Sequence, residues 1–112
     1  MASVSPQIKR GSAELAVLTL LAQHALHGYE IAKQIEEQTR GVLRFDMASL
    51  YPMLHRLERK CWVEAEWRTL PNGRRRRCYR LTASGRKQIA PLRAQWRAFF
   101  QALQRVTGFQ NA

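Results

Sequence analysis

The chain has 112 residues, the length of one domain, and is 46% hydrophobic and 24% charged, a balance that supports a packed core and excludes a disordered chain. No apolar run approaches the ~20 residues of a membrane span, residues 1–10 lack the apolar stretch of a secretory signal, and Cys61 and Cys78 are too few for a disulfide framework; the reading is a cytoplasmic protein without a membrane partner. Net charge is +11, and residues 68–112 hold eleven of the nineteen Lys/Arg and none of the eight acids, a clustering that points to a polyanion, double-stranded nucleic acid before membrane.

In chain order, residues 1–10 read as a loose tail. Leu15, Leu18, Leu21 and Ala22 have helical spacing; with Val17 and Leu20 added, a helix over 11–23 is apolar nearly all round and should be largely buried. The run His24-Ala25-Leu26-His27-Gly28 breaks it. A second helix spans about Tyr29 to Thr39, with Ile31, Ala32 and Ile35 inward and Gly41 as a left-handed cap residue. Pro52 has no N–H and its ring crowds the carbonyl four residues back. It belongs in a first turn, so the third helix is expected to open at Ser49, a good N-cap, and to bury Leu50, Met53, Leu54 and Leu57. Val63, Ala65 and Trp67 alternate with Glu64, Glu66 and Arg68, a strand pattern. Leu70-Pro71-Asn72-Gly73 is a turn, and Arg76 to Leu81 returns with Tyr79 and Leu81 on one face. Thr82 caps a last helix, in which Ile89, Leu92, Trp96, Phe99, Leu103 and Val106 form a heptad stripe ending near Gly108. Pro91 should kink or split it.

Three helices, a hairpin and a long helix make a mostly α protein with a small β-hairpin: a winged helix-turn-helix over 11–81, a C-terminal dimerisation helix over 82–108 and a tail over 109–112. The sequence also resembles PadR-type transcriptional regulators. Leu26-His27-Gly28-Tyr29-Glu30-Ile31 is similar to the opening of their second helix. Ser49-Leu50-Tyr51-Pro52-Met53-Leu54-His55-Arg56-Leu57-Glu58 resembles their central signature. The run from Gly73 to Thr82, with Gly85, resembles their wing and the start of their last helix. The resemblance covers about residues 11–108, in the compact subfamily with a single short C-terminal helix. It implies a homodimeric regulator, a repressor that binds a palindromic operator and is not an enzyme. It also implies a small hydrophobic or aromatic effector, for which Trp96 lies in the matching helix. Cys61 stands where the family has glycine, and a left-handed residue there is strained, so the turn is expected to differ locally.

With the leucine stripe inward, the third helix turns Pro52, His55 and Arg59 outward, flanked by Tyr51 and Arg56, with Ser49 at its start. These six are the candidate contacts of a recognition helix. The plainer alternative packs Tyr51 on the second helix and leaves His55 and Arg56 solvated. In the wing, Asn72, Arg74, Arg75, Arg76 and Arg77 are candidate contacts. Arg74 and Arg75 lie nearest the tip, while Arg76 and Arg77 alternatively brace the strands over Trp67 or Tyr79. Ile89, Leu92, Trp96, Phe99, Phe100, Leu103 and Val106 exceed what one small domain needs, which favours a two-fold dimer. His24 and His27 lack the companions of a zinc site, so no metal, cofactor or catalytic group is expected. Two rivals remain: an RNA-binding winged helix, which needs exposed aromatics, and a protein-interaction module, which needs neither clustered charge nor a polar third helix.

Overall fold

The apolar stripes of three helices meet over a small sheet. A computed structural model describes the backbone of residues 6–109 and the side chains of residues 12–109. Its elements run α1 (Pro6–Leu21), β1 (Leu26–His27), α2 (Gly28–Gln38), α3 (Met47–Arg59), β2 (Val63–Thr69), β3 (Arg75–Leu81) and α4 (Ala83–Thr107). Val17 and Leu18 of α1, Ile31 and Ile35 of α2, Leu50, Leu54 and Leu57 of α3, and Val63 and Tyr79 of the sheet make one core. Each leucine buried there contributes about 1.5–3 kcal/mol, so the stripe of α3 sets the roll of that helix and hence which side chains it turns outward.

Several boundaries differ from expectation. α1 begins at Pro6, so residues 6–10 of the expected tail are helical. Proline suits a first helical position, where its missing N–H would have no partner. The remaining tail residues, 1–5 and 110–112, lie outside the described residues. The hairpin is part of a three-stranded antiparallel sheet in the order β1-β3-β2, with Leu26 opposite Tyr79 and His27 opposite Cys78. His27 also caps α2, its Nδ1 accepting the Glu30 N–H at 3.2 Å.

Ser49 is not the N-cap of α3. Asp46 is, with Oδ1 accepting the Ser49 N–H at 2.8 Å. The helix starts at Met47, and Pro52 therefore sits in the second turn rather than the first. It lacks the N–H that would reach the Ala48 carbonyl. Pro52 lies on the exposed face, where water can satisfy that carbonyl while the buried stripe on the other side holds the helix.

The end of α3 keeps the left-handed turn despite its cysteine. Cys61 has φ 62°, and the Cys61 and Trp62 N–H groups bond the Glu58 and Leu57 carbonyls at 2.9 and 3.0 Å, the paired bonds of a Schellman motif. The end of α2 repeats that pattern, with Arg40 at φ 53° just before Gly41 at φ 80°. Thr82 caps α4 as expected, and Gly108 ends it at φ 78°. Pro91 does not split this helix: α4 is continuous over 25 residues, roughly 37 Å. Ile89 and Leu92, on either side of Pro91, pack against the core and hold the helix through the missing bond.

Candidate nucleic-acid interface

α3 lies with its stripe inward, so Tyr51, Pro52, His55 and Arg59 are exposed and Arg56 is half-buried. Ser49 is exposed at the start of this surface. Tyr51 leans on α2: its ring carbons and hydroxyl lie 3.2–3.4 Å from where a side chain on Gly28 would begin. Tyr51 thus touches the start of α2, as the plainer alternative held, and still keeps 38% of its surface exposed.

The wing is built by register. Val63, Ala65, Trp67 and Thr69 of β2 oppose Leu81, Tyr79, Arg77 and Arg75 of β3 on one face; Glu64, Glu66 and Arg68 oppose Arg80, Cys78 and Arg76 on the other. Burial ends abruptly along the first face. Val63 and Tyr79 are inside, whereas Trp67 is 58% exposed, so the strands outrun the helical body beyond Ala65. Trp67, expected on the inner row, is on that row but not in the core. Its exposure also supplies one of the aromatics that the RNA rival requires.

The tip closes on backbone bonds. Leu70 N–H reaches the Arg74 carbonyl at 2.8 Å, and Gly73, at φ 83°, donates to the Leu70 carbonyl at 2.9 Å. Asn72 spends its Oδ1 on the Arg74 N–H at 3.0 Å, which makes it a turn former before it is a contact. The four arginines then divide. Arg77 Nη2 bonds Glu58 Oε2 of α3 at 2.9 Å, a bond that raises the guanidinium pKa against the opposing effect of burial. Tyr79 beside it is held above its ordinary pKa by burial and by the Glu58 charge, with Arg77 acting the other way. His55 Nδ1 stands 3.7 Å from the other oxygen of Glu58.

Arg77 is thus a brace, as one alternative held, but its anchor is α3. Arg75, rather than Arg76 or Arg77, lies over Trp67, 5.7 Å from the ring centre. On the far face Glu64 pairs with Arg80 at 2.7 Å and Glu66 with Arg68 at 2.6 Å. Among the described residues, Arg74, Arg75 and Arg76 have no carboxylate in ion-pair range. Of these, Arg75 stands on the face of the sheet that Arg77 ties to α3, whereas Arg76 lies on the opposite face; the wing therefore carries uncompensated positive charge on both its faces.

The stripe of α4 divides as well. Ile89 and Leu92 cover the protein's own core, and Trp96 and Leu103 are half-buried. Phe99 and Phe100 are each 49% exposed, and Val106 is 87% exposed. Trp96 packs edge-on to Phe99 and tilted to Phe100, with ring centres 5.6 and 5.7 Å apart. It also lines two hollows: one of about 430 Å³ with Leu15 of α1, Arg93, Arg97 and Phe100, and one of about 290 Å³ with Leu92, Gln95 and Phe99. Among the described residues no cluster of His, Cys, Asp and Glu is placed to hold a metal ion, and no helix is long and apolar enough to cross a membrane.

Sequence signals for two parts of this surface were weak. Glu58 lies 19 residues from Arg77, and no spacing rule joins them. Asp46 is three residues before Ser49, the interval of a side-chain cap, but the first-turn preference of Pro52 pointed elsewhere.

Comparison with known proteins agrees with this architecture. Residues 17–91 match the transcriptional regulator PadR-like family. A transcriptional regulator of Mycobacterium tuberculosis is 34% identical over 105 residues, covering 94% of this chain and 92% of that protein. A transcriptional regulator from Clostridium thermocellum superposes with a TM-score of 0.81 at 25% identity, over 91% of this chain and 96% of that one. A PadR-like regulator of Bacillus cereus shares the fold at 20% identity, with a TM-score of 0.78 over 93% and 99% of the two chains. The family and these relatives are regulators of transcription, not enzymes. With its winged helix and a family match across more than half its length, the chain belongs to the PadR-like family of DNA-binding transcriptional regulators.

Proposed function

We propose that the protein is a cytoplasmic homodimeric repressor that binds a palindromic operator through α3 and the wing of each protomer. The observation that carries this reading is the adjacency of two surfaces: the polar outer face of α3 and a wing whose Arg74, Arg75 and Arg76 have no carboxylate in range among the described residues. Tyr51, Pro52 and His55 are the contacts closest to base edges, with Ser49, Arg56 and Arg59 toward the backbone. Arg74 and Arg75 supply phosphate or minor-groove contacts. Arg77 acts indirectly, by holding the wing to α3. Two copies joined through α4 present two recognition helices, which suits half-sites about one helical turn apart. Occupying such a site excludes the transcription machinery.

Selection of duplexes from a random DNA pool, followed by gel shift on the enriched sequence, tests the reading. Enrichment of an inverted repeat is expected, with affinity that falls as salt rises. Uniform affinity for all duplexes would leave a nonspecific binder and defeat it.

A second reading concerns control. The hollows beside Trp96, with Phe99 and Phe100 around it, favour a small flat aromatic effector that stacks on the indole and alters the angle of α4. Titration of the protein–duplex complex with planar aromatic compounds tests this; release of DNA is expected for the parent and not for Trp96→Ala.

A further inference from the structure

We propose that Trp67, with Arg75 laid across it, is a nonionic anchor of the wing on duplex DNA, packing against the sugar–phosphate strand that runs between α3 and the wing. The proposal rests on the DNA-binding reading above and adds a contact to it. Trp67 does no work in the core: it is 58% exposed, although Val63 on the same face is buried. Its place is fixed by its neighbour. Arg77, directly opposite on β3, is tied to Glu58 of α3, so the indole shares the face of the sheet that is joined to the recognition helix.

The chemistry of the pair suits one kind of occupant. A guanidinium held over an indole at cation–π range, here 5.7 Å from the ring centre, still has N–H groups to offer anionic oxygens. The platform thus offers an apolar plane beside a planar cation, and a nucleic-acid strand alternates apolar sugar with anionic phosphate. Glu64 and Glu66 point to the opposite face of the sheet and are paired there with Arg80 and Arg68, so the Trp67 face carries no acid of the wing. This charge favours a polyanion over a protein segment of mixed charge.

The probe is the duplex enriched from the random pool. Trp67→Ala should bind it roughly tenfold more weakly, the loss typical of truncating an interfacial tryptophan, with little change in salt slope because no ionic contact is removed. Trp67→Phe should keep most of the affinity. In the unsubstituted protein labelled with 5-fluorotryptophan, three fluorine signals are expected from the three tryptophans. The one missing from Trp67→Phe should shift when duplex is added. A signal that stays in place while the protein binds, or parental affinity in Trp67→Ala, overturns the anchor and leaves the DNA-binding reading standing. Failure of the unsubstituted protein to bind any duplex overturns both.

Discussion

At the scale of single residues, the junction between α3, β2 and α4 turns on Gly85 and Cys61. A side chain on Gly85 would begin 2.1 Å from the Trp62 carbonyl oxygen and 2.9 Å from Leu81 Cδ1. The obstacle is backbone, so the start of α4 would have to move. That start is also fixed by Thr82, whose hydroxyl donates to the Cys61 carbonyl at 2.7 Å and accepts the Gly85 N–H at 2.9 Å. Overpacking alone costs about 1–3 kcal/mol. Gly85→Ala should therefore lose about 3 kcal/mol or more in urea unfolding, and a loss below about 1 kcal/mol would mean that α4 shifts freely. Cys61 predicts the opposite sign. It is exposed and holds a left-handed φ of 62°, which costs a residue with a side chain about 1 kcal/mol. Cys61→Gly should raise the urea midpoint with an unchanged slope; a lowered midpoint would show that the thiol contributes packing.

At the scale of elements, Glu58 and Arg77 join α3 to the wing. Their side chains are 22% and 33% exposed, so the pair should be worth more than a surface ion pair and less than a buried one. A double-mutant cycle on Glu58→Ala and Arg77→Ala should give a coupling of about 1 kcal/mol in unfolding; additive losses would show that the two elements are held by the leucine stripe alone. Tyr79 sets the pH behaviour of the same junction. Its folded pKa lies above the ordinary value of 10.0 because burial disfavours the phenolate. The unfolded chain therefore ionises first, and the stabilisation is complete below pH 10 and is lost as pH rises beyond it. Stability in alkaline titration should fall less steeply for Tyr79→Phe than for the parent. Periodicity, the Pro-Asn-Gly turn and the Thr82 and Gly108 caps made most of these elements legible from sequence. What escaped has physical reasons. A two-residue strand such as β1 is too short to show a period. The start of α3 pitted the cap chemistry of Asp46 against the helix-breaking ring of Pro52, and the cap prevailed because the leucine stripe offsets one missing bond. Alternation assigned Trp67 to a face but carried no mark of where the body beneath that face ends. The outward residues of α3 were readable from its stripe, whereas the division of the wing arginines depended on carboxylates that meet them only in the folded chain.

At the scale of the whole molecule, α4 carries apolar surface that the other described residues leave exposed. The molecule measures 51 × 32 × 22 Å, and the half of α4 beyond Leu92 holds Phe99 and Phe100 exposed around a half-buried Trp96, with Val106 exposed further along the helix. Burying such a cluster against a second copy is favourable at about 25 cal/mol per Å². The same helix bears Arg86, Lys87, Arg93, Arg97 and Arg105 without an acid, so a two-fold contact brings like charges near one another. The two terms respond differently to salt. Screening weakens the repulsion and leaves the apolar burial, so dimerisation measured by sedimentation should tighten between low and moderate salt. DNA affinity should fall over that range, because added salt weakens the counterion release that drives binding. Trp96→Asp places a carboxylate at the centre of the cluster and should yield a folded monomer. That monomer should lose much of the affinity for an inverted repeat, since the second half-site is then no longer bound from a tethered protomer. Its affinity for a single half-site should change little, because α3 and the wing are untouched. A Trp96→Asp protein that still sediments as a dimer would mean that the aromatic cluster is not where the two copies meet.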